Sequence, residues 1–522
     1  MCSIFILKES YFHKMSSIDA MIDQEACSTW LGLQTQASKT CLLQQLSEWS
    51  SNKEKLLQLS AKYKRFKAVL EKDSTFFTTT SELFREIAEI ETQLHTLMDR
   101  DSALEKESYN EILFFKPLFQ PLNFVPFFLS MWSFIRIYLL PGLSLLLPIL
   151  TLIAPYFILA FVFKLPITFS NYMGLLQAML SGQMESVMNP QAIKQPVSFS
   201  PINLLKQFGI VAVSLIQGII QPYWTYKHLH SIDTIVQDNG RLIMRLKEIY
   251  QKVETLLASH GITFFKCPLP TMMNERDATA RIMLESAYFK MALKYLGSLE
   301  VILCLAHQKE VHPVTWVSSS TPVFSIQDTF DFQVPSSTRK CISADCTTKR
   351  HSLLTGPNKG GKSTVLRALS VSALLAHTYG CSIGRLTATP FEHIFVCLKP
   401  DDLPGSKSRF EREIEFTSQT LSRNETTLVF IDELYHSTNP PDALRSCEIY
   451  CKQLWEKPNV VSVISTHLFE LVEQAPEMIQ RICCPAVIDS TGIIHFSYQL
   501  QNGICKVSSV DTLLQKNGLL RA

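Results

Sequence analysis

The chain is 522 residues long and carries 49 Lys and Arg against 47 Asp and Glu, a formal net charge of +2. A chain of this length divides into more than one domain, because single cores stop growing near ~250–300 residues. The balanced charge excludes a chain-wide basic surface for neutralising nucleic-acid phosphates and leaves only local patches for such a role.

The 14 cysteines are scattered through a large chain, the pattern of reduced thiols in an intracellular protein rather than of a disulfide framework. Neither Cys483 with Cys484 nor Cys341 with Cys346 has zinc-site spacing, so no structural metal is expected. The apolar run 4–7 is too short for a signal peptide and is followed at once by Lys8 and Glu9, so secretion is not expected.

In chain order, residues 1–110 read as a helical N-terminal region. Leu83, Ile87, Ile90, Leu94 and Leu97 form one apolar stripe, and Thr79 with Glu82 has capping-box spacing that predicts the helix start. Residues 111–227 form an apolar insertion. Only 18% of the chain is charged, and mean hydropathy is positive at +0.11; the excess lies here. Residues 137–163 contain no charged side chain and are bounded by Arg136 and Lys164, a run long enough to cross a bilayer. Trp132, Tyr138 and Tyr156 suit interfaces, while Pro141, Pro148 and Pro155 line one helical face and predict kinks. Residues 207–226 form a second, shorter uncharged run ending in Pro222, Tyr223 and Trp224 before Lys227. A membrane hairpin with both flanks in the cytosol fits this pattern better than a buried helical hairpin in a soluble core.

Residues 228–315 are expected to form a helical lever and core region. A helix following Gly240 places Leu242, Leu246, Ile249, Val253 and Leu256 on one face and stops at Gly261. Helical periodicity returns over 281–308, and alternation over 324–334 suggests a strand. Residues 316–522 then read as an α/β nucleotide domain.

Within that domain, Thr355 is followed by Gly356, Pro357, Asn358, Lys359, Gly360, Gly361, Lys362, Ser363 and Thr364, between an apolar strand and a helix. This is phosphate-loop spacing: the glycines let backbone N–H groups close on phosphate oxygens at a helix N-terminus. Lys362 is expected to reach the β- and γ-phosphates, and Ser363 to ligate Mg²⁺. A second apolar strand, 428–431, ends in Asp432 and Glu433, suited to holding Mg²⁺ and orienting the attacking water. A third, 460–464, delivers Ser465, Thr466 and His467 to the same sheet edge, where His467 is placed to sense the γ-phosphate.

These motifs together resemble the ATPase domain of the MutS mismatch-repair family. TGPNKGGKST over 355–364, DELYHST over 432–438, THLFEL over 466–471, and DDL followed by SRFEREI over 401–414 are similar to that family's four site segments. The resemblance runs over about 298–520. It implies a P-loop ATPase domain of the ABC and MutS type, preceded by an all-α lever and core region, with ATP and Mg²⁺ as cofactors. It makes Asn358, Glu433 and His467 catalytic-site residues and implies a homo- or heterodimer in which Ser408 reaches the opposite subunit's nucleotide. Three departures stand out. Arg409 occupies the place of a small hydroxylated residue, Tyr435 and His436 replace a small glycine-containing stretch, and no aromatic just upstream of 340–345 matches the adenine-stacking residue. The family's mismatch-reading domain, with its phenylalanine-x-glutamate wedge, is not recognisable, and C-terminal dimerising helices are expected to be missing.

Two functions therefore compete on sequence. One is a membrane-anchored ATPase whose domain closure moves helical levers; the other is a soluble DNA-binding repair or recombination ATPase, with DNA implied by family analogy alone. An apolar tip without Lys or Arg clusters is a poor phosphate clamp. A scaffold with a vestigial ATPase is disfavoured by Lys362, Ser363, Asp432, Glu433 and His467 all being present.

Overall fold

The structure is a computed structural model that describes residues 22–98, 109–114, 116–180, 213, 216–398, 408–489, 494–507 and 514. The chain divides into two compact units, Met1–Ala88 with Leu293–Ala522, and Glu89–Ala292. A helical N-terminal region precedes a mixed α/β region.

The first unit opens with α1 (Gln24–Leu31), α2 (Gln36–Ser47), α3 (Lys53–Lys72) and α4 (Ser74–Met98). Asp23, Thr35 and Asn52 cap the first three by accepting early-turn N–H groups. Buried Glu300 ties the α1–α2 turn down, accepting from Gln34 N at 2.6 Å, Thr35 N at 3.2 Å and Thr35 Oγ1 at 2.5 Å. Helix α4 starts at Ser74 rather than at Thr79, because Asp73 accepts from Thr75 N at 2.9 Å and terminates the preceding turn. Its buried face includes Phe84, Ile87, Ile90 and Leu94, with Leu83 only half-buried.

In the second unit a short 3₁₀ turn (Gln120–Phe124) leads into α5 (Pro126–Phe134), α6 (Leu140–Phe157) and α7 (Phe169–Leu180). A π turn over Ile135–Leu139 joins α5 to α6, with Leu140 N–H donating to Ile135 O. The wide turn immediately precedes Pro141, whose ring crowds the carbonyl four residues back and which cannot donate. A second π turn, Ile158–Val162, follows α6. Then comes α8 (Gln221–Ser259), a helix of 39 residues. It antiparallels α6, since Tyr138 meets Tyr226 at 5.9 Å between ring centroids while α6 also packs on Ile216–Ile220.

The foot of this unit is a core of Tyr109, Ile112, Leu113, Leu129, Ile232, Val236 and Ala280. Beyond it the apolar side chains turn outward: Phe134, Leu146, Leu150 and Phe157 are all more than half exposed. Among the described residues one helix, Pro126–Leu146, is long and apolar enough to cross a membrane, and Ile153–Val162 is a shorter apolar segment. This candidate segment begins before the expected residue 137 and takes in Arg136, which pairs with Glu111. Of the second expected run, 207–226, residues 207–212, 214 and 215 lie outside the described residues, while Ile216–Ile220 forms a π turn and 221–226 the start of α8.

Helix α8 does not start after Gly240 but runs through it. Its buried face is Leu229, Ile232, Val236, Ile243, Leu246, Ile249, Val253 and Leu257, leaving Leu242 and Leu256 half-buried. Gly261 does end it, at φ +78, with Ile262 N–H returning to Leu257 O at 2.9 Å. Gly240 lies inside the helix because α9 (Glu275–Leu284) crosses there. A Cβ on Gly240 would sit 1.9 Å from Glu275 O. The crossing is fixed by Arg276 on Asp233, two bonds of 2.7 Å, and by Thr279 Oγ1 on Val236 O at 2.6 Å. The helical periodicity over 281–308 is broken at Glu285, so α9 and α10 (Ser286–His307) are separate.

The α/β region follows in the first unit: β1 (Val311–Pro313), β2 (Thr315–Trp316), β3 (Phe324–Thr329), β4 (Ile342–Asp345), β5 (His351–Thr355), α11 (Lys362–Tyr379), β6 (Cys381–Ile383), β7 (Arg385–Ala388), β8 (His393–Cys397) and α12 (Arg409–Ser422). After these come β9 (Thr427–Ile431), α13 (Pro440–Trp455), β10 (Val460–Ser465), α14 (Phe469–Gln474), β11 (Ile479–Cys483), β12 (Ala486–Ile488), β13 (Ile494–Phe496) and β14 (Gln501–Asn502). One sheet has the order β14-β11-β5-β10-β9-β8, parallel except for edge strand β14. Strands β5, β9 and β10 are buried at every position, as strands covered on both faces must be. A second sheet, β2-β7-β3-β4, stands beside the first.

Replacing Gly240 by Ala in an open helix interior would add about 1 kcal/mol of stability. Here the added methyl meets the α9 backbone, so Gly240→Ala is expected to destabilise by about 2 kcal/mol or more. Thermal and urea unfolding of the full chain checks the sign.

Candidate active site

Strand β5 ends at Thr355 and the chain turns through Gly356 at φ +151, where a Cβ would lie 2.9 Å from Cys484 O. The loop closes with Gly360 N–H on Pro357 O at 3.0 Å, and Gly361, at φ +99, is the N-cap of α11. Asn358 and Lys359 are exposed at its tip, and Ser363 and Thr364 are half-buried in the first turn of α11. Such a loop directs N–H groups and the positive end of a helix dipole at whatever occupies it. Lys362 is only 5% exposed, and its ammonium donates to Gly356 O at 3.1 Å and Pro357 O at 3.3 Å. Burial pushes its pKa down, and the nearby Glu433 and Asp432 carboxylates pull it back up.

The acids come from β9 and are set by β10. Asp432 N–H donates to Cys397 O at 2.8 Å. The Ser465 hydroxyl donates to Asp432 Oδ1 at 2.5 Å and accepts from Glu433 N–H at 2.9 Å, so one side chain positions both acids. Sequence reading gave Ser465 no role, because its two partners are 32 and 33 residues away. His467 Nε2 lies 3.0 Å from Glu433 Oε1. That hydrogen bond is the main reason the Glu433 carboxyl is held below its ordinary range; burial opposes it, and the charges of His467, His436 and Lys362 add to it. The phosphate loop, Asp432, Glu433 and His467 thus converge at the carboxyl ends of adjacent strands β5, β9 and β10.

A cavity of about 360 Å³ adjoins the loop, lined by Gly360, Gly361, Thr364, Cys484, Arg339, Lys340, Phe330 and Tyr498 among others. Two aromatic rings line it, Phe330, ten positions before Lys340, and Tyr498, far beyond it. Arg339 stacks over Phe330 at 4.4 Å, and Trp30 of α1 meets the same ring edge-on at 6.3 Å. Arg367 anchors Asp331 at 2.7 Å. No local signal marks Tyr498, which reaches the cavity only because β13 returns the chain to Gly361.

Ser408 is not brought to this cluster. It is exposed and caps α12: Glu411 N–H donates to its hydroxyl at 3.2 Å, and Glu411 Oε2 accepts from Ser408 N at 2.8 Å. Of the signature stretch 401–414, residues 401–407 lie outside the described residues.

Among the described residues no group of three or more His, Cys, Asp or Glu side chains is arranged to hold a metal. Ser363 and Asp432 supply one hydroxyl and one carboxylate, a donor set that suits Mg²⁺ carried with phosphate oxygens and water better than an all-protein cage. The buried ammonium of Lys362 beside two half-buried acids is likewise a charge arrangement suited to an anion with its cation.

Glu433 stability linkage follows in sign from its lowered pKa. The stabilisation is full above the ordinary carboxylate value and is lost as pH falls through the lowered one. Carboxyl NMR titration of His467→Ala is expected to show the Glu433 pKa rising; an unmoved value would mean His467 does not hold the carboxylate.

Residues 352–513 match the family model described as MutS domain V, from β5 through the phosphate loop, the acids and His467. This match supports MutS family membership, carried by the C-terminal part of the chain.

Proposed function

We propose that this chain binds ATP with Mg²⁺ at the loop 356–364 and hydrolyses it to ADP and phosphate. The observation that carries the reading is the convergence of the loop, Asp432, Glu433 and His467 on one sheet edge. Ser363 and Asp432 would hold Mg²⁺, which would supply charge neutralisation at the phosphates. The N–H groups of Gly356, Asn358, Lys359, Gly361 and Thr364 cradle the phosphates, around Pro357, which has no N–H, and Gly360, whose N–H closes the loop on Pro357 O, with the Asn358 side chain at the tip beside them. Lys362 leaves the loop carbonyls for the β- and γ-phosphate oxygens. Glu433 accepts a hydrogen bond from the attacking water and receives its proton as the γ-phosphorus bond to the bridging oxygen breaks and ADP leaves. His467 moves from Glu433 to the transferring phosphoryl group, freeing the carboxylate for the water. The cavity beside Phe330 and Tyr498 takes the base and ribose. Dimerisation through these domains, with Ser408 meeting the partner's nucleotide, follows the family pattern; it requires Ser408 to keep its capping bonds or exchange them for that contact.

The second unit favours a membrane-anchored version of this ATPase, in which nucleotide-driven closure moves the helical levers. Its support is the outward apolar surface of α5 and α6, with Trp132 beside Arg136 at 5.7 Å and Trp224 beside Lys227 at 5.5 Å, the cation and aromatic pairing of a membrane interface. A soluble DNA-repair or recombination role is the reading favoured by family membership.

Lys362→Ala is expected to lower ATP affinity by at least about tenfold, since a charge-assisted contact to phosphate is worth roughly 1.5–3 kcal/mol. Glu433→Gln should bind ATP normally and turn over about a hundredfold more slowly or less. Equilibrium binding of a fluorescent nucleotide and phosphate-release rates check both, and wild-type behaviour in either overturns the assignment of that residue.

Carbonate extraction of cell membranes should leave the full chain in the pellet. Recovery in the soluble fraction, with duplex binding that weakens steeply as salt rises, would establish the DNA-binding alternative.

A further inference from the structure

The segment after the acids holds two non-glycine residues in the left-handed region, Glu433 at φ +53 and Tyr435 at φ +55. Residues with a Cβ stay there only where the surroundings fix them, and such positions gather at functional sites. Around Glu433 the anchors on the β10 side are Ser465 and His467. The anchors after it come from α12 and α13. The Tyr435 hydroxyl and Thr417 Oγ1 are 2.6 Å apart, and Thr417 donates onward to Glu413 O at 2.9 Å, so Tyr435 is the donor in that pair. The Tyr435 ring is buried against Phe410 at 5.7 Å. Two positions further on, the Ser437 hydroxyl donates to buried Glu413 at 3.0 Å, and Glu413 pairs with Arg409 at 3.6 Å. Cys447 of α13 completes the set on Leu434 O at 3.5 Å.

We propose that Tyr435, Thr417 and Glu413 are positioning residues that clasp the acid loop to α12. This rests on the nucleotide reading above. The clasp keeps Glu433 in its left-handed conformation, with its carboxylate toward the phosphate loop. It also makes the first turn of α12, which carries Ser408 and Arg409, move with that loop. A glycine at 435 would relieve the backbone but release the helix. The tyrosine keeps the strained turn and spends its hydroxyl across it. The consequence is specific: loss of the bond disturbs the water-activating acid and leaves the phosphate loop, on β5, untouched.

The test uses the purified full chain. Tyr435→Phe keeps the ring and removes one hydrogen bond, and is expected to lower kcat roughly fivefold or more. KM and fluorescent-nucleotide affinity should stay within about twofold, with a thermal midpoint close to wild type. Thr417→Val should do the same, and the double variant should lose no more than the worse single, because both remove one bond. An unchanged kcat in Tyr435→Phe, losses that multiply, or a parallel fall in affinity would overturn the clasp. If the wild-type chain neither binds nor hydrolyses ATP, the nucleotide reading itself fails. The clasp is then decided by hydrogen exchange: amides 433–437 should exchange faster in Tyr435→Phe while β9 amides do not change, and equal rates overturn it.

Discussion

The parallel pairing of β5, β10 and β9 is the constraint on which the site depends. Ser465 sits opposite Leu354, and Ile464 opposite both Leu353 and Ile431. All three strands therefore end at one level, and each is continued by a loop with chemistry on it. A slip of one residue in β10 would turn the Ser465 hydroxyl to the other face of the sheet. Asp432 would lose its donor and Glu433 N–H its acceptor together. Because every position in these strands is buried, such a slip would also place polar groups where none can be hydrated, so register is strongly enforced.

Electrostatics acts within that frame. A buried ammonium without compensation costs several kcal/mol. Lys362 meets that cost with two loop carbonyls and the nearby acids, while one of those acids is engaged by His467. The cluster is thus internally paired, and under the proposed function Lys362 would exchange its carbonyls for phosphate oxygens and His467 its carboxylate for a phosphoryl group.

The second unit obeys a different rule along its length. Its foot is an ordinary core in which Leu129 meets Ile232 and Val236, and the crossing of α8 with α9 is close enough to demand glycine. Past Phe134 the π turn and α6 present apolar side chains outward, Leu139, Leu143, Leu146 and Leu150 among them. Each such side chain forgoes roughly 1.5–3 kcal/mol of burial as long as water faces it. Exposed apolar side chains gathered on one segment are the support for the membrane-anchored reading.

Much of this was legible in the sequence because it depends on neighbours along the chain. The phosphate loop needs its glycines at fixed spacing, an apolar strand before it and a helix after it, and all are local. The strands ending in Asp432 and Glu433 and in Ser465 to His467 were equally plain from their apolar runs, and Gly261 from its place at the end of a stripe. Helix starts were misread where a local signal had a tertiary competitor. Gly240 looks like a boundary until Glu275 is found against it, and Thr79 with Glu82 looks like a cap until Asp73 is seen to do that work. The rings of Phe330 and Tyr498, the double role of Ser465, and the link from Tyr435 to Thr417 had no sequence signature at all. Each joins groups far apart in the chain, and only the folding of the sheet decides which of them meet. The sequence by itself determined where the phosphate-loop pattern lies and which apolar strands lead into it, into the acids and into His467. Tertiary structure decided which side chains hold that chemistry in place, because hydrogen-bond partners and close backbone approaches are set by distance in space.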